Sequence, residues 1–283
     1  MDHTNQESYG NVPEPTSHAS SGPLLVTKFL PPASSHEIIA RPHLLALLNT
    51  GLHRRLILVS AAAGFVKTTL LASRASSFAP GHPPVAWVSL DASDNTPFQF
   101  WTYVLTALEQ CQPGLSRLPF TSLHDALQPC YQVMLTDLIN GLAQQSESLV
   151  LVLDNYEEIT EPTIHAQLAL LLEHLPPTLC VVLSTRTDPF FPLARLRAQG
   201  HILELRTAQL RATREEMTAF LRDVMKLRFS EQAIQDVDAR IQGWWAGLQL
   251  TALAFKEQAP RKICFRRSRE LCRLCTSTWC RRC

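Results

Sequence analysis

The residues best suited to do chemistry lie in Ser60-Ala-Ala-Ala-Gly-Phe-Val-Lys-Thr-Thr-Leu-Leu71. Here a glycine-containing turn separates a short apolar run, LILVS (56–60), from a stretch with helical character. A loop in that setting can bind phosphate, because successive backbone N–H groups and a helix N-terminus converge on the anion. Lys67 is expected to reach the β- and γ-phosphates, and Thr68 to place its hydroxyl on Mg²⁺. Thr69 would lie on the α-phosphate side.

The usual form of such a loop is G-x-x-x-x-G-K-[ST]. Here Ala61 takes the first position, Gly64 is internal, and Val66 stands where a glycine should precede the lysine. Glycine is favoured there because the backbone approaches phosphate closely and adopts unusual dihedrals, for which a β-branched residue is poorly suited. Val66 is therefore expected to weaken nucleotide binding or abolish it.

A second candidate is Asp154, at the carboxyl end of the apolar run LVLVLDN (149–155), 154 − 67 = 87 residues after the lysine. A carboxylate at that edge of a sheet can hold Mg²⁺. The next position, where a second carboxylate could polarise water, is Asn155, which cannot act as a general base. Glu157 is the candidate substitute, with Glu158 beside it. Arg186 follows a third apolar run, TLCVVLST (178–185), where a cation could sense a γ-phosphate; the alternative is a solvated loop arginine. Arg41, in IIARPHLL, is a further candidate nucleotide contact, with an ordinary helix-start arginine as the alternative.

The elements that must position these residues alternate. Apolar strands at 56–60, 85–90, 149–155 and 178–185 are separated by helical stretches. Continuous apolar runs are what a sheet buried on both faces requires, and β-α alternation implies parallel strands. The expected fold is α/β, with helices on both faces of a parallel sheet. Beyond His201 the pattern changes to a short LELR strand and three amphipathic helices, at 213–225, from Ser230, and at 243–255. Thr213 and Glu216 have capping-box spacing.

Together these segments resemble the P-loop NTPase domain of STAND-class ATPases, as found at the start of MalT-like LuxR-family transcription regulators. The likeness runs from Thr27 to Phe255. It is carried by TKFLPPASSHEIIARPHLL, LVSAAAGFVKTTLL, LVLVLDNYEEI with LSTRTDPFFPLARLRAQG, and LELRTAQLRATREEMTAFL with IQGWWAGLQLTALAF. The resemblance implies a three-layer α/β/α P-loop NTPase domain (24–200) followed by an incomplete helical, winged-helix-like module (201–255). It implies ATP/ADP and Mg²⁺ as ligands, a closed ADP form, and an open form that self-associates with ATP and an inducer. Turnover is expected to be weak or absent. The family continues with a sensor and a helix-turn-helix, so this chain reads as truncated and without direct DNA binding.

The flanks read differently. Residues 1–23 are rich in Ser, Pro, Asn and Gly and are expected to be a disordered leader. Residues 256–283 hold nine Lys/Arg against two Asp/Glu and five of the eight cysteines. This tail suits an out-of-frame extension, while zinc or nucleic-acid binding through its two CxxC pairs is the alternative. Cys111, Cys130 and Cys180 read as small buried hydrophobes. With a net charge of +1, no signal-peptide order and no membrane-length apolar run, the chain is expected to be cytoplasmic. A second overall reading keeps the fold as an interaction module that binds no nucleotide.

Overall fold

The computed structural model describes residues 24–33, 39–75, 83–123 and 130–258. The leader and the Cys-rich tail lie outside them. Five parallel strands form one sheet: β1 (Leu56–Ser60), β2 (Val85–Ser89), β3 (Leu149–Asp154), β4 (Leu179–Thr185) and β5 (Ile202–Arg206), in the order β2-β3-β4-β1-β5. The strand over LELR is thus a member of the main sheet, hydrogen-bonded to β1. The boundary expected at residue 200 therefore cuts the sheet, and the second module starts after Arg206.

Strand side chains alternate between two apolar layers, which is why the runs lack polar interruption. Leu56, Leu58, Leu149, Leu151 and Leu153 face one core, under α3 (Pro97–Cys111), α5 (Tyr131–Ala143) and α6 (Pro162–His174). Ile57, Val59, Val150, Val152 and Val182 face the other, under α1 (Pro42–Gly51) and α2 (Lys67–Ala75). Local signals start the helices as the sequence predicts. Thr96 caps α3 ahead of Pro97, by accepting from the Gln99 amide, and Glu161 caps α6 ahead of Pro162. Of the three internal cysteines, Cys180 is buried, and burial pushes its thiol up to about 12. Cys130 is exposed, contrary to expectation, because it precedes α5 instead of facing a core.

Shorter helices α4 (Arg117–Leu123) and α7 (Leu193–Ala198) close the first core. The second module comprises α8 (Thr207–Leu210), α9 (Arg214–Ala219) running into a π-helical turn (Phe220–Val224), α10 (Glu231–Ile241) and α11 (Trp245–Gln258). It has its own apolar cluster, including Met217, Phe220, Val237, Trp245 and Leu248. Among the described residues it contains no strand, so its winged-helix character is helical only. The expected capping box is present: Thr213 Oγ1 accepts from the Glu216 amide, and Glu216 accepts from the Thr213 amide.

Candidate phosphate-binding site

Register brings the site together. Ser60 ends β1 opposite Thr185 of β4, and Asp154 ends β3 on the far side of β4. The loop that leaves β1 crosses this edge and enters α2 at Lys67. Thr68 Oγ1 donates to Asp154, 2.8 Å from Oδ2 and 3.0 Å from Oδ1. Asp154 is 1% exposed, so its carboxylate is held within the sheet edge and not in solvent. A hydroxyl and a carboxylate from opposite sides of β4 thus share one point, and both are the hard oxygen donors that Mg²⁺ takes.

Lys67 is folded over the loop. Its amine donates to the carbonyls of Ala61 at 2.6 Å and Ala62 at 3.3 Å. Burial pushes it below the usual lysine range; Glu157 and Asp154 oppose that shift, and Arg186 adds to it. All three of these charged groups thus act on the Lys67 amine. Arg186 Nε pairs with Glu157 Oε1 at 2.8 Å. The other oxygen, Glu157 Oε2, is buried with no hydrogen-bond partner among the described residues. Asn155 adopts a left-handed backbone (φ 58°), which its short polar side chain tolerates, and this turns the chain into the 3₁₀ turn that carries Glu157.

Val66 meets the dihedral demand that favours glycine. Its φ is 51°, a conformation that costs a β-branched residue about 1–3 kcal/mol. Its side chain packs against the apolar cluster of the second module. The strain is thus a property of the folded loop itself. The bulk at this position is directed to the module, which moderates the obstruction expected from the sequence. Gly64 (φ 82°) has no such latitude: a Cβ there would collide with Trp244 Nε1 and lie 2.7 Å from Ala246 Cβ.

Arg41 is placed elsewhere. It is 4% exposed, and its guanidinium donates to Glu216 Oε1 (2.9 Å) and to the carbonyls of Leu210 (2.9 Å) and Arg211 (2.8 Å). Its Cζ lies 5.4 Å from the Trp245 ring centroid. Nε, Nη1 and Nη2 all donate to the second module, so the structure brings this side chain to the module and not to the loop around Lys67. Thr69 follows Thr68 in the first turn of α2, and its carbonyl accepts from Ser73. Trp244 was legible only as packing; its indole donates to the Ala63 carbonyl at 3.0 Å, inside the phosphate loop.

No family model matches the chain. It is 31% identical over 239 residues to the HTH-type transcriptional regulator MalT of Serratia proteamaculans, which covers 83% of this chain and 25% of that protein. It is 27% identical over 234 residues to the serine/threonine-protein kinase PknK of Mycobacterium tuberculosis, covering 83% of this chain and 21% of the relative. The chain thus spans a quarter or less of the curated relatives it matches. Among solved structures it is similar to a signal transduction ATPase with numerous domains (STAND) protein with a tetratricopeptide repeat sensor from Pyrococcus horikoshii. That likeness has a TM-score of 0.47 and 13% identity, over 77% of this chain and 30% of that one. It is also similar to AMPPCP-bound DnaA from Aquifex aeolicus, with a TM-score of 0.41 and 15% identity, over 83% of this chain and 70% of that one.

Proposed function

We propose that this chain, which is similar to the transcriptional regulator MalT over most of its length, is a P-loop ATPase domain of the STAND class and a regulatory switch, one that binds ATP or ADP with Mg²⁺ and turns ATP over slowly. The observation that carries the reading is the contact of Thr68 with Asp154 across the intervening strand. Loop and acidic strand end are distant in sequence, and a purely structural role for either gives no reason for them to meet at the carboxyl edge of a parallel sheet.

Mg²⁺ would be held by the Thr68 hydroxyl and the Asp154 carboxylate, and when bound it neutralises phosphate charge. Lys67 is free to exchange its two carbonyl acceptors for phosphate oxygens. Arg186 is proposed to meet a terminal phosphate, at the cost of its pairing with Glu157. Slow turnover follows from the acid–base inventory. Asn155 cannot take a proton from water, and Glu157 is paired with Arg186. We assign Glu157 as the general base. Glu157→Gln is then expected to lower phosphate release by about a hundredfold while leaving nucleotide affinity within about threefold. Unchanged release would remove the assignment.

The regulatory output is part of the same proposal. The MalT relative is a transcriptional regulator, so the nucleotide state of this domain is proposed to control domains of a longer protein, with an inducer and self-association in the ATP form. No described helix is long and apolar enough to cross a membrane. The deciding experiment is a titration of the whole chain with a fluorescent ATP analogue, in Mg²⁺ and again in EDTA. Saturable binding is expected, weakened at least roughly tenfold by EDTA, as loss of a charge-neutralising ion implies. Absence of saturable binding in Mg²⁺ would leave the interaction-module reading in its place.

A further inference from the structure

The second module reaches into the phosphate loop at three points. Trp244 Nε1 donates to the Ala63 carbonyl at 3.0 Å, from 181 residues away in sequence. The Ala246 amide donates to the Gly64 carbonyl at 3.1 Å. The Val66 side chain packs into the module's apolar cluster. Glycine at position 64 admits this approach, since any Cβ would meet Trp244 and Ala246.

The first two contacts have a consequence for the loop's amides. Every described peptide bond is trans, and in a planar trans peptide the C=O and the following N–H point in opposite directions. Fixing the Ala63 carbonyl toward Trp244 aims the Gly64 N–H away from the module. Fixing the Gly64 carbonyl toward Ala246 does the same for the Phe65 N–H. These are groups through which such a loop binds an anion. The module is itself held in place, because Arg41 grips Glu216 and the carbonyls of Leu210 and Arg211 while lying over the Trp245 ring.

We propose that Trp244, Ala246 and Val66 form a clasp through which the second module sets the direction of the phosphate-loop amides, making Trp244 and Val66 positioning residues for anion binding. In this arrangement Val66 compensates for the missing glycine: it keeps the left-handed turn occupied by anchoring it from outside. Loop shape and module position become one equilibrium, so a ligand that favours one loop shape also favours one module position. The proposal rests on the nucleotide reading only for the identity of the anion.

The test is amide hydrogen exchange of the whole chain without nucleotide, followed by titration with the fluorescent ATP analogue. Trp244→Phe keeps an aromatic ring, smaller than the indole, and removes the donor. It is expected to speed exchange over 61–67 and 244–248 and to weaken analogue binding, each by roughly fivefold, the effect of one net hydrogen bond. Val66→Ala is expected to loosen the same two segments. Val66→Ile, which retains the anchor and the β-branch, is expected to match the parent. Exchange over both segments equal to the parent in Trp244→Phe and Val66→Ala would overturn the clasp, as would Val66→Ile behaving like Val66→Ala. A parent chain that binds no analogue removes the nucleotide reading alone, because the exchange measured without nucleotide still decides the clasp.

Discussion

Lys67→Ala is expected to weaken binding of an ATP analogue at least a hundredfold. The amine is half-buried and is held over the loop by the carbonyls of Ala61 and Ala62, and Glu157 and Asp154 favour its charged form against the effect of burial. At about 4 Å from a phosphate charge, and with the effective dielectric of a partly buried site, its Coulomb attraction is about 4 kcal/mol. A hundredfold loss needs about 2.7 kcal/mol, so the estimate leaves room for solvent screening and for the carbonyl bonds given up on binding. The same variant carries a pH signature. Burial pushes Lys67 below the ordinary lysine range, and a bound phosphate favours its charged form. Affinity in the parent is therefore expected to fall with rising pH, starting below the usual value of about 10.4. Lys67→Ala should lack that alkaline limb. Titrations across the range would settle both points; a variant within about threefold of the parent at neutral pH would exclude this loop as the phosphate site.

Much of the fold was readable because burial writes itself into composition. β1, β3 and β4 are apolar at consecutive positions since one residue faces each core in turn, and nothing in such a strand faces water. Periodicity reports burial, however, and not neighbours. LELR looks like the start of something new, because β5 lies at the sheet edge and only Leu205 is buried along it. That Lys67 and Thr68 come to the sheet edge that carries Asp154 could be foreseen, because all three stand at ends of strands and helices. The pairing of Glu157 with Arg186 could not, since it depends on the left-handed turn at Asn155 and on β3 and β4 being adjacent.

Val66 illustrates the remaining gap. The sequence correctly marks it as ill-suited to its backbone, yet the partner that stabilises it lies in a separate module. Arg41 is the converse case. Its place before α1 gives it the look of a surface residue or a ligand contact, while its actual acceptors are carbonyls roughly 170 residues later, at Leu210 and Arg211. Both residues gain their roles from long-range packing, and both belong to the joint between the sheet and the helical module. A switch needs such a joint to have alternatives of similar energy. The contacts that define it here combine directional hydrogen bonds from Arg41 and Trp244 with the apolar anchor at Val66.

Lys28→Met is expected to lower stability by about 3 kcal/mol, or roughly 6–12 °C in melting temperature for a domain of this size. Lys28 is 6% exposed and Asp94 fully buried; the amine lies 2.7 and 2.8 Å from the two Asp94 oxygens and 2.8 Å from Asp91 Oδ2. It also sits 4.8 Å from the Tyr103 ring centroid. These contacts fasten the 3₁₀ turn at Val26–Phe29 to the loop that follows β2. Removing the ammonium leaves a carboxylate in the interior with the Asp91 amide as its remaining donor among the described residues, so the loss reflects an unpaired charge more than the worth of the pair. The double variant Lys28→Met/Asp94→Leu removes both charges and should recover most of the stability. The pH dependence has a definite sign. Burial alone would lower the Lys28 pKa, but bonding to Asp91 and Asp94 outweighs it and raises the amine above the usual range. Its contribution is thus complete below about 10.4 and lost as pH rises through the raised folded value. Lys28 holds Asp91 below the usual carboxylate range, so that contribution is present above about 3.9 and lost as pH falls. The gap between parent and Lys28→Met should therefore be level at neutral pH and narrow at both extremes. Thermal melts across pH test this, and a Lys28→Met chain melting within about 2 °C of the parent at neutral pH would show that the buried ion pair does not hold this edge of the sheet.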